Sequence, residues 1–427
     1  MKSYQICELL PIYEAKIGEI SQPYDCEGGN TAVSIVGTTL AEFSAYVSAI
    51  SATNAKLYAK NEIAGNHFAT FLVTDAEGVE YAVHLMYYPI RGNARVVWGK
   101  KGFLPVQDDA VFASGNHRTS VLQYARNGVW NSQPATGAPG MANIITLADG
   151  SFILIDGGPR QREQHFTKAF VDGEWVDAAP SEEHDCDKLY RLLCERTPEG
   201  QKPVVAAWFI THGHSDHVDL AGDFLRKYKD KVEVRLAAYN LPDPLKHPIK
   251  NEPSDILHIT LQHIVKGFEI AGATHWKIHT GQRMSFPGCE VEILHTHEDY
   301  FPKSYAWGNH TGSAFRFKFK GKTYMVLGDC ESDICHQMFY KYGSYLKSDI
   351  LQPTHHGANG GSTDLNTVID PDICLWTVDA WRFHTDGRML GFQRGYEYNW
   401  VLRNDEFKVR KHYHNGEDVE IFTDKKV

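Results

Sequence analysis

The stretch Thr211-His212-Gly213-His214-Ser215-Asp216-His217 places three histidines and an aspartate within six residues. It follows directly on residues 204–210 (VVAAWFI), the longest strongly apolar run in the chain and short enough to be a buried strand. Neutral imidazoles on a loop leaving a strand can converge on zinc, manganese or iron, and a carboxylate adds the negative charge that a second cation requires. A histidine cluster that is merely solvated would not need a rigid strand at its base.

Working outward, more candidate donors stand where later strands are expected to end. Gly328-Asp329 follows the predicted strand 323–327, His355-His356-Gly357 follows 350–353, and His295 and His297 follow 290–294. Each is weak alone, since an isolated Gly-Asp is usually a turn. Four strand ends each delivering His or Asp fit a site built at one edge of a layered fold. Upstream, strands at 143–147 and 151–155 are joined by Ala148-Asp149-Gly150, and a hairpin is expected at 170–176 around Asp172-Gly173. Helices are predicted at 183–195, with Ser181 as N-cap, and at 219–228, 256–268 and 331–346. In 313–319, Phe315, Phe317 and Phe319 alternate with Arg316 and Lys318, as in a half-buried strand. Closing strands at 407–413 and 419–423 flank Asn415-Gly416.

Residues 1–115 read differently, as a small α+β module of unassigned role. One helical stretch spans 39–62, with Leu40, Phe43, Val47 and Ile50 on one side, and strands follow at 68–73, 81–88 and 94–98. Cys7, Cys26 and His67 are isolated there, the ordinary condition of core or surface residues.

Composition narrows the class. The 427 residues are 42% hydrophobic, 22% charged and 12% aromatic, an ordinary globular balance. The net charge of −10 argues against a wholly basic nucleic-acid binder. No apolar run approaches the ~20 residues that span a bilayer, and Glu8 and Glu14 interrupt any apolar core of a signal peptide. Eight scattered cysteines without a CxxC pair read as reduced thiols, so a cytoplasmic enzyme is expected. Cys330 beside Asp329 reads as a core cysteine, because strand alternation points it away from its neighbour.

With these pieces in place, residues 116–427 resemble the metallo-β-lactamase superfamily. The likeness is to the branch holding the hydrolase domain of competence-type DNA-uptake proteins and the teichoic-acid phosphorylcholine esterases. It rests on Ile153-Leu154-Ile155-Asp156-Gly157-Gly158, the run His212 to His217, Leu327-Gly328-Asp329 and His355-His356-Gly357. The resemblance implies an α/β (α+β) fold, an αββα sandwich with two metals at one edge of the sheets. His212 and His214 would bind the first metal, Asp216 and His217 the second, and Asp329 both. His297, in preference to His295, would complete the first site. His356 would complete the second, leaving His355 to donate a hydrogen bond to substrate or to the charge of the transition state. Asp156 would hold the ligand loop by hydrogen bonds. The implied cofactors are two divalent metal ions, zinc with manganese or iron as alternatives. The implied reaction is attack by a metal-bridging hydroxide on a phosphodiester, with Asp216 orienting it as a catalytic group.

Substrate candidates come from two aromatic segments. Tyr300, Tyr305, Trp307, Asn309 and His310 lie in the segment 300–310 between two ligand-bearing strands, and Arg382 and His384 follow the strand 373–378. The expected partner is a small-molecule or phosphodiester substrate, with no membrane, nucleic acid disfavoured, and a homo-oligomer conceivable through the N-terminal module. The alternatives are a lactone or ester hydrolase on the same metals, a nuclease, and a non-hydrolytic metal-binding module.

Overall fold

A computed structural model describes residues 2–16, 18–130, 133–136, 140–161, 168–171, 174–177, 183–299, 305–358, 360–384 and 399–424. Two mixed sheets lie face to face. The first runs, in spatial order, Thr274–Lys277, Leu236–Tyr239, Val204–Phe209, Phe152–Asp156, Ala142–Thr146, Ser120–Gln123 and Val419–Phe422. The second runs Arg283–Phe286, Cys289–His295, Ala314–Phe319, Thr323–Val326, Ile350–Gln352, Ile373–Leu375 and Lys411–Tyr413. Ile153, Ile155 and Phe209 of the first meet Phe315, Phe317 and Val326 of the second in a shared apolar layer. Helices Asp185–Arg196, Ser215–Tyr228 and Ser254–Ala271 cover the outer face of the first sheet. Ser332–Tyr342 and Thr363–Ile369 cover that of the second. This is an αββα sandwich, the architecture that the resemblance implies.

The run at 204–210 is apolar throughout because its strand is covered on both faces. Phe209 enters the layer between the sheets, while Trp208 turns outward to Phe224 and Phe268, with ring centroids 5.8 and 5.9 Å away. The parallel pairing of Val204–Phe209 with Phe152–Asp156 brings the ends of both strands to the same edge. Asp156 and the 211–217 loop are therefore neighbours.

The N-terminal residues build a third, antiparallel sheet in the order Glu19–Ile20, Asn30–Val36, Asn93–Lys100, Glu80–Tyr88, Asn66–Thr74, Lys56–Ile63. One face packs on Phe43, Tyr46 and Ile50 of helix Leu40–Ser51. The other packs Phe68, Met86 and Val97 into the core of the second sheet.

Several expectations need correction. The helix expected over 39–62 ends at Ser51, and Lys56–Ile63 is a strand. One turn past Ile50, the positions that would continue the buried stripe are the polar Thr53 and Asn54. Thr53 closes the helix by donating to the Ile50 carbonyl at 2.7 Å. The strand then turns through Ala64 and Gly65, both at positive φ (51° and 74°), into its hairpin partner Asn66–Thr74. Helix Ser215–Tyr228 starts four residues before its predicted position, so Ser215, Asp216 and His217 of the histidine-rich run form its first turn. Helix Asp185–Arg196 is capped by His184, whose ring accepts from Cys186 N, and Ser181 lies outside the described residues. The 170–176 hairpin exists as Lys168–Val171 paired with Glu174–Asp177, its turn residues lying outside the described set. Of the closing strands, the one expected over 407–413 is formed only at Lys411–Tyr413, and the two do not pair with each other. Lys411–Tyr413 joins the second sheet and Val419–Phe422 crosses to the first, each strand finding a free edge. The short strands Leu236–Tyr239 and Thr274–Lys277 were not anticipated, having four residues each and little periodicity.

Candidate metal centre

Three stretches of backbone carry the site. The first is the loop between strand Val204–Phe209 and helix Ser215–Tyr228. It presents His212 and His214, and the helix's first turn presents Asp216 and His217. An aspartate there is favoured by the partial positive charge of the helix N-terminus. The second is the turn after Thr323–Val326, which carries Asp329. The third is the short helical turn Thr354–Gly357, which carries His355 and His356.

Their donor atoms gather into two groups. Asp216, His217, Asp329 and His356 form one, and His212, His214 and Asp329 the other, with the atoms of each group within 4.8 Å of one another. Asp329 is common to both. Its Oδ1 lies 3.2 Å from His217 Nε2, and its Oδ2 lies 3.2 Å from His356 Nε2 and 3.9 Å from His212 Nε2. His356 Nε2 is also 3.1 Å from Asp216 Oδ2, and His212 Nε2 is 3.0 Å from His214 Nδ1.

The outer nitrogen of every histidine shows that the group fits cations. His217 Nδ1 faces Asp156 Oδ2 at 2.7 Å, and His214 Nε2 faces Glu252 Oε2 at 2.8 Å. His356 Nδ1 faces the Thr377 carbonyl at 3.0 Å. A carboxylate or carbonyl only accepts, so each of these nitrogens carries the proton. His212 Nδ1 meets Thr211 Oγ1 at 3.1 Å, a hydroxyl already donating to Asp156 Oδ2 at 2.6 Å, so here too the ring donates. In their neutral forms all four rings therefore turn a lone pair inward. His217 Nε2 and His356 Nε2 face each other at 3.4 Å. Lone pairs and carboxylates so opposed need positive charge between them, and outer partners of this kind set ring orientation at metal sites.

The acid–base balance shows the same demand. Burial, together with the neighbouring rings of His217 and His214, holds His212 well below its ordinary pKa. Burial also opposes charge on His217 and His356, but the surrounding carboxylates outweigh it. Asp329 and Asp156 raise His217 well above the usual value, and Asp329 and Asp216 raise His356 to about 9. Protons there do the work that cations would do.

Backbone strain is concentrated at the same place. Asp156, His355 and His356 have φ of 51°, 49° and 57°, a left-handed conformation that costs non-glycine residues about 1–3 kcal/mol each. Gly308 is a glycine for a local reason. A Cβ there would stand 2.3 Å from His214 Nε2 and 3.0 Å from Glu252 Oε2.

His212, His214, Asp216, His217, Asp329 and His356 are brought together, and Asp156 holds the loop through Thr211 N and Oγ1 as well as His217. His297 is not brought to the group. It is fully buried with Nδ1 on the Tyr305 hydroxyl at 2.8 Å and Nε2 on Asn240 Oδ1 at 2.9 Å, and burial lowers its pKa to about 3. The chain after Cys289–His295 enters a short helix His297–Asp299, in which His297 meets Asn240. His295 faces Asp299 at 3.2 Å. The carboxylate beside His214 is Glu252, which also accepts from Gly308 N at 2.9 Å. Nothing in the local sequence of Glu252 marks it, because its role depends on a partner 38 residues away.

His355 stands at the mouth, 3.8 Å from both Asp329 Oδ2 and Glu331 Oε1. Asn309 lies beside it, donating to Glu331 Oε1 at 2.8 Å with its Nδ2 3.4 Å from His355 Nδ1. Tyr305 is a core residue, whereas Trp307 is 45% exposed. His310 accepts from Trp307 N and faces Asp333 at 3.5 Å. His384 lies against Phe383 and His414. The side chain of Arg382 and all of Tyr300 lie outside the described residues. Cys330 is fully buried in the core of the second sheet.

No protein-family profile matches the chain, and no curated protein matches it. Among solved structures it is similar to CmlA, a diiron β-hydroxylase from Streptomyces venezuelae, at 10% identity over 72% of this chain and 54% of that one (TM-score 0.40). It is also similar to Zn2+-bound PqqB from Methylobacterium extorquens, at 11% identity over 57% and 73% of the two chains (TM-score 0.31). Human tRNase Z, short form, is similar at 13% identity over 60% and 90% (TM-score 0.30). The chain spans about half the length of the CmlA chain it matches.

Proposed function

We propose that this chain is a dinuclear metal-dependent hydrolase whose substrate is a phosphodiester. The observation that carries this reading is the sharing of one buried carboxylate, Asp329, by two groups of inward-facing donors. When bound, two divalent cations, zinc first among the candidates, would polarise a substrate oxygen and lower the pKa of water toward neutrality.

The chain's own residues divide the remaining work. Asp216, fixed in the first helical turn, is placed to orient the attacking water and take its proton. His355, at the mouth with the Asn309 amide beside its Nδ1, offers an N–H donor to the substrate oxygen on which negative charge grows. Asp156, Glu252 and Thr377 hold the histidine rings, so that little reorganisation is needed as the reaction proceeds. The carboxylates of Glu252 and Glu331 stand beside His214 and His355, and the net charge is −10. A long polyanion such as nucleic acid would be repelled, whereas a single diester neutralised by two cations would not.

The test is hydrolysis of bis-p-nitrophenyl phosphate beside a simple lactone and a p-nitrophenyl ester, using protein of known metal content and Asp216→Asn as control. Diester turnover that vanishes in the variant supports the proposal. Turnover of the lactone or ester alone would transfer it to the carbon-ester class. The two adjacent histidines separate cleanly: His355→Ala is expected to keep two metal equivalents and lose turnover, and His356→Ala to lose one equivalent. Elemental analysis beside the rate assay decides, and the reverse pattern would exchange their roles.

A further inference from the structure

Two short segments carry the groups that fix His214 from outside its own loop. Residues 246–252 end in Glu252, whose Oε2 stands 2.8 Å from His214 Nε2. Residues 305–308 end in Gly308, whose N–H donates to Glu252 Oε1 at 2.9 Å. The segments are joined by backbone bonds from Lys250 N to the Tyr305 carbonyl and from Asn251 N to the Ala306 carbonyl, both 3.1 Å. Residues 246–252 and 305–307 belong to no helix or strand, so the position of Glu252 comes from whatever holds these segments.

Both are held from the N-terminal sheet. The first is gripped by the loop between Tyr24–Asp25 and Asn30–Val36. Glu27 is buried there, with Oε1 2.8 Å from His247 Nε2 and Oε2 accepting from Lys246 Nζ at 3.1 Å. Its φ of 65° is a left-handed conformation that a non-glycine residue keeps only where its surroundings hold it. Lys277 does so, donating to the carbonyls of Cys26 and Glu27. Ile249 shares an apolar cluster with Cys26, Ala32 and Val97. The second segment is held through His297, which meets the Tyr305 hydroxyl with Nδ1 and Asn240 with Nε2. Asn240 Nδ2 donates to Glu298 Oε1 at 2.8 Å, and Arg95 of the N-terminal sheet donates to the Glu298 carbonyl. Every member of this chain is buried, where hydrogen bonds are strongest and least exchangeable with water.

We infer that the N-terminal sheet is a clamp on the first donor group, with Glu27 and His297 as positioning residues that hold Glu252 against His214. Glu252 keeps the proton on His214 Nε2, and the Nδ1 lone pair is left facing inward beside His212. The inference rests on the metal-centre reading above and is independent of the substrate. It gives residues 1–115 a role, and it gives His297 an indirect one in place of the ligand role. The second donor group is held from within the sandwich, His217 by Asp156 and His356 by Thr377. The clamp therefore acts on one group and spares the other.

The experiment removes one strut at a time. Glu27→Ala frees residues 246–247 while Lys277 still docks the loop, and Tyr305→Phe deletes only the hydroxyl on His297. Each is combined with His356→Ala, which leaves the first donor group, and with His212→Ala, which leaves the second. Zinc affinity is then measured on the stripped proteins. In the His356→Ala background either strut variant should weaken zinc about tenfold, and Glu252→Gln about 10–100-fold. In the His212→Ala background none of them should change it. Phe43→Leu, on the far face of the N-terminal sheet, controls for lost stability and should alter neither affinity. A second readout needs no metal: the Nε2 proton of His214, assigned by its absence from His214→Gln, is followed by NMR in zinc-free protein. It should resist exchange with water in the native chain and in Phe43→Leu, and lose that protection in Glu27→Ala and Tyr305→Phe. Equal losses of affinity in both backgrounds, or a His214 proton as protected in the strut variants as in the native chain, would overturn the inference. If neither single-group protein binds zinc, the metal reading fails, and exchange at His214 still decides whether the sheet positions Glu252.

Discussion

Asp329→Ala is expected to abolish hydrolysis and to bring metal content from two equivalents to below one. Its carboxylate is 2% exposed and is the only residue common to both donor groups. The other donors each belong to a single group, so His212→Ala should remove one equivalent and leave the second group intact. Bound cations supply several kcal/mol of transition-state stabilisation. At tenfold per 1.36 kcal/mol, losing both should cost about a thousandfold or more in kcat. Asp329 lies on the turn after its strand, outside the apolar clusters, and circular dichroism tests that the fold survives its loss. Elemental analysis, circular dichroism and the diester assay on the same preparation check the three parts. Full activity in a folded, metal-depleted Asp329→Ala protein would end the metal-hydrolase reading. A variant that retains two equivalents would show that Asp329 is not shared.

The part of the site that was legible in the sequence is the part built from contiguous residues. His212, His214, Asp216 and His217 need only a strand end and the first turn of a helix to converge, and both are local features. Asp329 and His356 were legible because each follows a strand whose apolar pattern is plain. The third histidine expected at the first metal was not, because the direction of its loop is decided elsewhere. His297 is drawn to Asn240, 57 residues away, by a hydrogen bond that no local pattern announces. Glu252 and Thr377 escaped notice for the same reason, since each acts through long-range contact with one ring. The fold shows a similar division. Strongly apolar strands were placed well, whereas Lys56–Ile63 was taken into the preceding helix. Its exposed, charged face carries no period-two signal, and its conformation comes from pairing with Asn66–Thr74.

Asp299→Asn is expected to be the most destabilising single change between the N-terminal sheet and the sandwich, costing about 3–5 kcal/mol. Asp299 is 1% exposed and receives Arg95 Nη2 at 2.6 Å, Lys341 Nζ at 2.8 Å and the Tyr88 hydroxyl at 2.9 Å. Arg95 and Tyr88 come from the N-terminal sheet, and Lys341 from helix Ser332–Tyr342. An exposed pair of this kind would contribute no more than about 1 kcal/mol. Here the variant strands two buried cations, and Arg95 keeps only the Glu298 carbonyl, Met86 Sδ and the Tyr88 hydroxyl. Arg95→Met, which leaves Asp299 paired with Lys341, should cost less, and this ordering separates a charge network from mere packing. The pH dependence has a definite sign. Burial opposes the charged form of Asp299, but Lys341 and Arg95 outweigh it and hold the group well below the ordinary carboxylate value. Its stabilising contribution is therefore complete above the unfolded pKa of about 3.9 and is lost as pH falls below that value. Urea denaturation from pH 7 down to pH 3 should show a steeper acid-side loss in the native protein than in Asp299→Asn. Equal slopes, or a loss at pH 7 under about 1 kcal/mol, would mean that apolar contacts of Phe68, Met86 and Val97 hold the sheet in place without help from the ions.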